Sequence, residues 1–306
     1  MSEPLLSVCL VNHNAGELTL NCLRSIRAKT VDPGYEIILV DNDSTNDGLA
    51  AITREFPQIT LIRNDRNVGF AKANNQAIRA ARGKYLLLLN NDTLLRNDAC
   101  GRMAAFMEGH PKTGILAGKL YKPNGKVQRN CRSFYKTPFD TMFGRASLLS
   151  KLFPGNPVTR RNTLSDWDYN SVREVDWVSG ACMMVRRAVF DRIGLLDERF
   201  FMYWEDTDLC KRARDAGWSV WFTPEAEITH LTGQGGGRRT LKTRIFMIYE
   251  MHSSAYYYFR KHSYRSSWHP LAVVSYLGLL ALVAGKTVYE TVRSLFLFAS
   301  FRLTRR

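Results

Sequence analysis

Residues 84–92 read KYLLLLNND, a continuous apolar run that stops abruptly in two amides and a carboxylate. Four consecutive leucines without polar alternation describe a strand buried on both faces, the pattern of a parallel sheet covered by helices. The same unit recurs upstream. LLSVCLV at 5–11 gives way to the polar NHNAGE and then to a helical pattern with Leu18, Cys22, Leu23 and Ile26 on one face. EIILV at 36–40 ends in DNDSTND and is followed by helix-like LAAITREF; QITLIRN makes a third apolar run before DRNVG and the helix FAKANNQAIRAA. Such strand–loop–helix units in series predict an α/β fold with a parallel sheet.

Open parallel sheets bind ligands beyond the carboxyl ends of their strands. The residues there are Asn12, His13 and Asn14, then Asp41, Asn42 and Asp43, then Asn90, Asn91 and Asp92. Any one of these loops also suits an ordinary turn or helix cap. Three polar strand ends together point to a site.

Farther along, Pro123, Pro138, Pro154 and Pro157 break the pattern, so 120–172 reads as a loop-rich, mobile insertion. VDWVSGACMMVRR restores a strand-like stretch, with Gly180 and Ala181 leaving room for close approach. FFMYWEDTDLCKRARDAGW then carries a helix with Leu209, Ala213 and Ala216 on one face and Gly217 as its stop. SVWFTP and EITHL read as two short strands before GQGGG at 233–237, which suits a diphosphate cradle, a lid or a plain linker equally.

Among the 306 residues, 43 Lys and Arg stand against 28 Asp and Glu, a net charge of +15, which makes polyanions plausible partners. Much of that charge lies at 233–306, where 12 Lys and Arg meet only Glu250 and Glu290. Because this tail is also rich in Tyr, Phe and Leu, it argues for a membrane headgroup region rather than nucleic acid. A helix-like stretch from Thr240 to His262 precedes LAVVSYLGLLALVA, 14 uncharged residues. At 1.5 Å per residue that is about 21 Å, short of the roughly 30 Å hydrocarbon core, so a re-entrant or interfacial helix is expected. A tail helix packed on its own domain or in a homodimer is the alternative. The six cysteines are scattered singly, as buried small hydrophobes in a reducing compartment would be. The N-terminus lacks a basic n-region, which predicts no signal peptide and a cytoplasmic enzyme.

Asp92 is a carboxylate at the mouth of the sheet, suited to a hard divalent cation shared with substrate phosphates. His230 ends another expected strand and is a candidate imidazole ligand, although a lone His is more often structural. Glu205, Asp206 and Asp208 crowd a helix start, where acids serve as ordinary caps. The flanking FFMYW supports a second role, a sugar-binding aromatic wall beside a general base.

The ordered set SVCLVNHN, VDNDS, NVGFAKANN, LLLLNND, DWVSGACMMVRR, FFMYWEDTDLCKR and THLTGQG resembles the family 2 inverting glycosyltransferases, especially their bacterial rhamnosyltransferase-like branch. The resemblance covers about residues 5–237 and implies a GT-A fold, a mostly parallel sheet flanked by helices. It implies a catalytic domain over 1–237, while the composition of the tail gives a helical, membrane-associated extension over 238–306. It also implies a nucleotide-diphosphate sugar donor and Mg²⁺ or Mn²⁺. His13, Asp41, Asn42 and Asn67 then fall at base and ribose positions. Asn91 and Asp92 match the family's DXD position, with Asn91 replacing its first acid. Asp206 matches the catalytic base, Glu205 and Trp204 lie on the acceptor side with Trp177 and Gly180, and His230 matches a metal- and diphosphate-associated histidine. The QxxRW motif of processive synthases is absent, so a single-addition enzyme is expected. The implied reaction moves one sugar, rhamnose from its deoxythymidine diphosphate being the first expectation, to a lipid-linked saccharide at the cytoplasmic membrane face, in cell-surface polysaccharide synthesis. The alternatives are a uridine diphosphate sugar donor, a sugar nucleotidyltransferase and a non-catalytic membrane-bound binding module.

Overall fold

The computed structural model describes residues 3–31, 34–132, 135, 167–231, 240–264 and 270–303, without the side chains of 271 and 294–303. The chain divides into two compact units, Met1–Arg199 with Glu205–Gly237, and Phe200–Trp204 with Arg238–Arg306. GQGGG and most of the expected insertion lie outside the described residues.

The first unit opens with β1 (Leu6–Asn12), α1 (Gly16–Lys29), β2 (Tyr35–Asn42), α2 (Gly48–Glu55), β3 (Thr60–Asn64), α3 (Phe70–Ala80) and β4 (Tyr85–Asn90). β5 (Thr93–Leu95), α4 (Ala99–Gly109), β6 (Thr113–Tyr121), β7 (Val127–Gln128) and β8 (Cys131–Arg132) follow. Then come β9 (Arg173–Glu174), β10 (Trp177–Val178), β11 (Cys182–Arg186), α5 (Arg187–Ile193), α6 (Glu205–Asp215) and β12 (Ser219–His230). Among the described residues the main sheet runs β3-β2-β1-β4-β11-β6-β12-β5, with β7 on β6 and β9 on β12. β1 lies parallel between β2 and β4, so the ends of these strands, Asn12, Asp41 and Asn90, share one edge.

Apolar periodicity explains the helices. Cys22, Leu23 and Ile26 of α1 are buried with Leu49 and Ile52 of α2 against β1, β2 and β4 in one core. At their N-termini α1 and α2 touch through glycines, and a Cβ on Gly16 would stand 2.4 Å from Gly48 Cα. All six cysteines are free and buried.

The sheet is mostly parallel, as expected, with β11 running antiparallel to both β4 and β6. Two expectations need correction. The stretch from 175 to 187 is two strands, since Ser179–Ala181 leaves the ladder between β10 and β11. Conversely, SVWFTP and EITHL form the single strand β12, whose register on β6 slips between Phe222 and Glu227 and so absorbs Pro224 in a bulge.

In the second unit α7 (Leu241–His262) is capped by Thr240, whose hydroxyl accepts from Thr243 N–H at 3.1 Å. The aromatic segment before α6 packs on this helix: Phe200 on Tyr257 at 4.9 Å, Phe201 on Phe246 at 5.3 Å, and Trp204 on Tyr258 at 5.0 Å. Tyr203 and Trp204 are held at φ 69° and 70°. Two bulky residues in the left-handed region persist only where surrounding packing enforces them. α8 (Pro270–Leu303) is longer than its uncharged run, because the helix continues through Lys286. By length and composition, its segment Ala272–Arg293 is long and apolar enough to cross a membrane, which corrects the length argument.

Gly16→Ala is expected to lower stability by about 1–3 kcal/mol through the clash with Gly48. Gly109→Ala, whose Cβ meets nothing within 4 Å, should stay within about 0.5 kcal/mol of the parent; urea unfolding of both variants measures the difference.

Candidate active site

At the shared strand edge, amides do the joining. Asn12 is fully buried; its Nδ2 donates to Asp41 Oδ1 at 2.8 Å and to Ser44 Oγ at 2.9 Å, while its Oδ1 accepts from Thr19 Oγ1 at 2.9 Å. Asn42 does the same for the next loop. Its Nδ2 donates to Asn67 Oδ1 at 2.8 Å, and its Oδ1 accepts from Asn64 Nδ2 and Val68 N–H, both at 3.0 Å. His13 Nδ1 lies 2.7 Å from the Asn42 carbonyl oxygen. His13, Asp41, Asn42 and Asn67 therefore form one hydrogen-bonded wall built from three loops.

Asn91 is turned into this network, its Nδ2 donating to Thr19 Oγ1 at 2.8 Å. Asp92 points the other way. Its Oδ1 lies 3.1 Å from His230 Nε2, because β5 pairs with β12 and brings Thr93 opposite His230. The His230 Nδ1 side faces the Gln128 carboxamide at 3.0–3.2 Å. A carboxylate oxygen and an imidazole nitrogen, both buried and oriented by neighbours, are a donor pair that a hard cation accepts when phosphates and water complete its shell. Among the described residues no group of three or more His, Cys, Asp or Glu could hold a metal by itself. The residues present fit a cation shared with substrate, rather than one caged by protein.

The acid-rich start of α6 reaches the same edge through β11. Asn90 N–H donates to the Ala181 carbonyl at 3.0 Å, and the adjacent Gly180 N–H donates to Asp206 Oδ2 at 2.9 Å. Asp206 Oδ1 accepts from Thr207 N–H at 2.7 Å and from its hydroxyl at 3.2 Å. A Cβ on Gly180 would approach Phe70, the first residue of α3, at 3.7 Å, so Gly180 also adjoins the loop that carries Asn67. Burial pushes the Asp206 carboxyl above its ordinary range, against the three hydrogen bonds that favour its charged form. Glu205 is more extreme. It is buried, its Oε2 has no hydrogen-bond partner, and burial together with the neighbouring Asp206 charge raises it well above the usual carboxylate range. Asp208 is different in kind: fully buried, it pairs with Arg212 at 2.8 Å, and Arg212 in turn donates to the Ile193 and Leu195 carbonyls. It ties α6 to the end of α5.

Trp177 lies on β10, half-buried, with Arg132 stacked 5.6 Å from its ring. Trp204 belongs to the second unit, where Tyr258 and Phe259 flank its ring. Sequence reasoning missed Thr19, Ser44 and Gln128 as partners of site residues. Thr19 and Ser44 sit in ordinary helix and turn positions, and Gln128 lies where the sequence pattern is weakest. None carries a local signal.

This architecture, a parallel α/β half carrying polar loops and an inserted antiparallel strand whose leading loop holds a helix-start acid, is that of a GT-A glycosyltransferase. Residues 7–194 match the family described as Glycosyl transferase family 2, and the chain belongs to that family. Among curated relatives it is similar to the N-acetylglucosaminyl-diphospho-decaprenol L-rhamnosyltransferase of Mycobacterium tuberculosis, at 29% identity over 76% of this chain and 78% of that protein. It is also similar to the rhamnosyltransferase WbbL of Escherichia coli, at 26% identity over 73% and 82% of the two chains. Among solved structures, GalNAc-T7 with UDP, GalNAc and Mn²⁺ superposes with a TM-score of 0.56 at 17% identity; the match covers 81% of this chain but only 48% of that one. S. aureus TarS 1-349 in complex with UDP gives a TM-score of 0.52 at 16% identity, covering 81% and 64%.

A carboxyl raised on folding weakens the fold at pH values above its ordinary range, and the penalty fades as pH falls back through that range. Glu205→Gln is therefore expected to melt higher than the parent at about pH 8, with the difference gone near pH 4, where free carboxyls protonate. Thermal melts across this range measure it.

Proposed function

We propose that the enzyme transfers one sugar with inversion from a nucleotide-diphosphate donor, best read as deoxythymidine diphosphate rhamnose, to a lipid-linked saccharide used in cell-surface polysaccharide synthesis. The carrying observation is the chain of contacts from Asn90 through Ala181 and Gly180 to Asp206, which supports reading Asp206 as a base beside a donor-binding edge. The two relatives named as rhamnosyltransferases, one acting on a decaprenol-linked sugar, support the choice of donor and acceptor.

In this reading His13, Asp41, Asn42 and Asn67 hold the base and ribose, and Asn91 fixes the loop that carries Asp92. Asp92 and His230 hold Mg²⁺ or Mn²⁺. Such an ion, when bound, offsets charge on the diphosphate leaving group. Gly180 and Thr207 orient the Asp206 carboxylate, which takes the proton of the acceptor hydroxyl as that oxygen bonds to the anomeric carbon. The bond from that carbon to the diphosphate oxygen breaks on the opposite face, so configuration inverts and the nucleoside diphosphate departs. Trp177, Gly180 and Glu205 are assigned to the acceptor, and so, within the second unit, is Trp204. Residues 1–237 are the catalytic domain, and 238–306 meet the cytoplasmic membrane face that carries the acceptor.

Asp206→Asn should lower turnover by about 10²–10⁴-fold while leaving donor affinity unchanged, as measured by nucleotide release beside donor titration. Unchanged turnover would remove Asp206 as the base. Because the carboxylate is the active form and burial raises its pKa, turnover should climb with pH across a midpoint above the ordinary carboxylate range. The donor is tested by nucleotide release with a panel of sugar nucleotides, with and without Mn²⁺ and lipid extract. Release with the rhamnose donor alone is expected; release with a uridine donor instead would overturn the sugar assignment and leave the mechanism standing.

A further inference from the structure

The second unit contains a feature that the transfer reaction does not use. α7 and α8 form an antiparallel hairpin, pinned by Tyr264 to Ser275 at 2.7 Å, Tyr256 to Tyr276 at 5.2 Å between rings, Lys286 to His252 at 3.0 Å and Arg244 to Glu290 at 3.3 Å. These contacts extend along nearly the whole apolar segment of α8. The better-buried positions of that segment include Ala272, Ser275, Leu279, Val283, Lys286 and Glu290, spaced three and four apart. That is a single helical stripe. It turns the two internal charges of the apolar segment, Lys286 and Glu290, toward α7.

The rest of Ala272–Arg293 is open and largely apolar. Val274 is 64% exposed, Leu277 59% and Val288 62%, in a segment of mean hydropathy 1.6. The core helix of a soluble protein would be mostly buried, whereas 6% of this segment is.

We propose that α8 lies in the plane of an anionic membrane, its open face sunk into the acyl boundary and both its ends on the same side. Two observations argue against a crossing helix. First, the pairing with α7 would draw Lys242, Arg244, Glu250, Arg260 and Lys261 into the hydrocarbon alongside α8, and charged groups there are strongly disfavoured. Second, basic residues flank the apolar run at both ends: Arg260, Lys261 and Arg265 before it, and Arg293, Arg302, Arg305 and Arg306 after it. A spanning helix carries an excess of Lys and Arg on one side, whereas here the two ends are about equally basic. Basic residues at both ends match a helix whose two ends meet the same layer of anionic headgroups. The same charge argues against a second copy as the occupant of the open face. Residues 233–306 carry 12 Lys and Arg against two acids, so two such units would repel where a phospholipid surface attracts.

This inference rests on the reading of 238–306 as the membrane-facing part, and the test separates the two. The full-length protein is floated with vesicles of phosphatidylcholine containing phosphatidylglycerol, and with phosphatidylcholine alone. Binding to the anionic vesicles, reduced at least tenfold by Val274→Asp with Leu277→Asp, is expected, while donor binding stays unchanged because neither residue belongs to the catalytic unit. No flotation at all would overturn both the membrane reading and the in-plane geometry. A lipid-independent dimer that the same pair of substitutions dissociates would assign the open face to a second copy and overturn the proposal.

Topology is read separately with Ser263→Cys and Arg293→Cys, treated with a membrane-impermeant maleimide in sealed right-side-out and inverted vesicles from expressing cells. The native cysteines are all buried, which keeps background labelling low. Both sites should react from the same side. Reaction from opposite sides would mean that α8 crosses, overturning the in-plane geometry while the membrane reading stands.

Discussion

The hydrogen bond from Gly180 N–H to Asp206 is the joint on which the candidate site depends. It exists because β11 enters the sheet antiparallel between β4 and β6, which starts the strand at the edge where β4 ends. A parallel strand at that position would begin at the opposite edge of the sheet, and the acid-rich start of α6 would have no backbone donor at the strand mouths. The backbone serves this geometry directly. The Gly180 N–H reaches the carboxylate, while an added Cβ would meet Phe70 and Asp206 only at ordinary contact distances. The close approach expected at this glycine is therefore not what holds the joint.

Amides hold together the other side of the same edge, and their chemistry explains why carboxylates are few there. Asn12 and Asn42 each donate and accept, so each can join loops from separate strands without adding charge. Carboxylates in those positions would repel Asp41, and later a diphosphate, across a few ångströms. Asn91 follows the same logic. It ties the β4 loop inward to Thr19 and leaves Asp92 as the loop's acid beside His230.

The helix-start acids separate into three roles that local sequence does not distinguish. Asp208 is neutralised by Arg212 and serves packing. Asp206 is held by backbone donors yet raised by burial, a setting that suits a group alternating between charged and protonated forms. Glu205 is buried with its Oε2 unpartnered, a cost to stability that packing alone does not explain. The strained Tyr203–Trp204 turn immediately before α6 is a second cost in the same stretch.

By itself, the sequence determined the class of fold, the strand-end loops and the approximate limits of α1, α2, α3, α6 and α7. Continuous apolar runs, period-3.6 faces and stop residues such as Gly217 act through neighbours close in the chain. The ordered motifs also made Asp92, Asp206 and His230 legible as candidates. Tertiary structure alone decided the direction of β11, the fusion of two expected strands into β12, the meeting of Asp92 with His230, and the division of labour among Glu205, Asp206 and Asp208. Each of these depends on pairings between residues far apart in the chain, where strand direction, burial and hydrogen-bond partners are set by packing and not by local pattern.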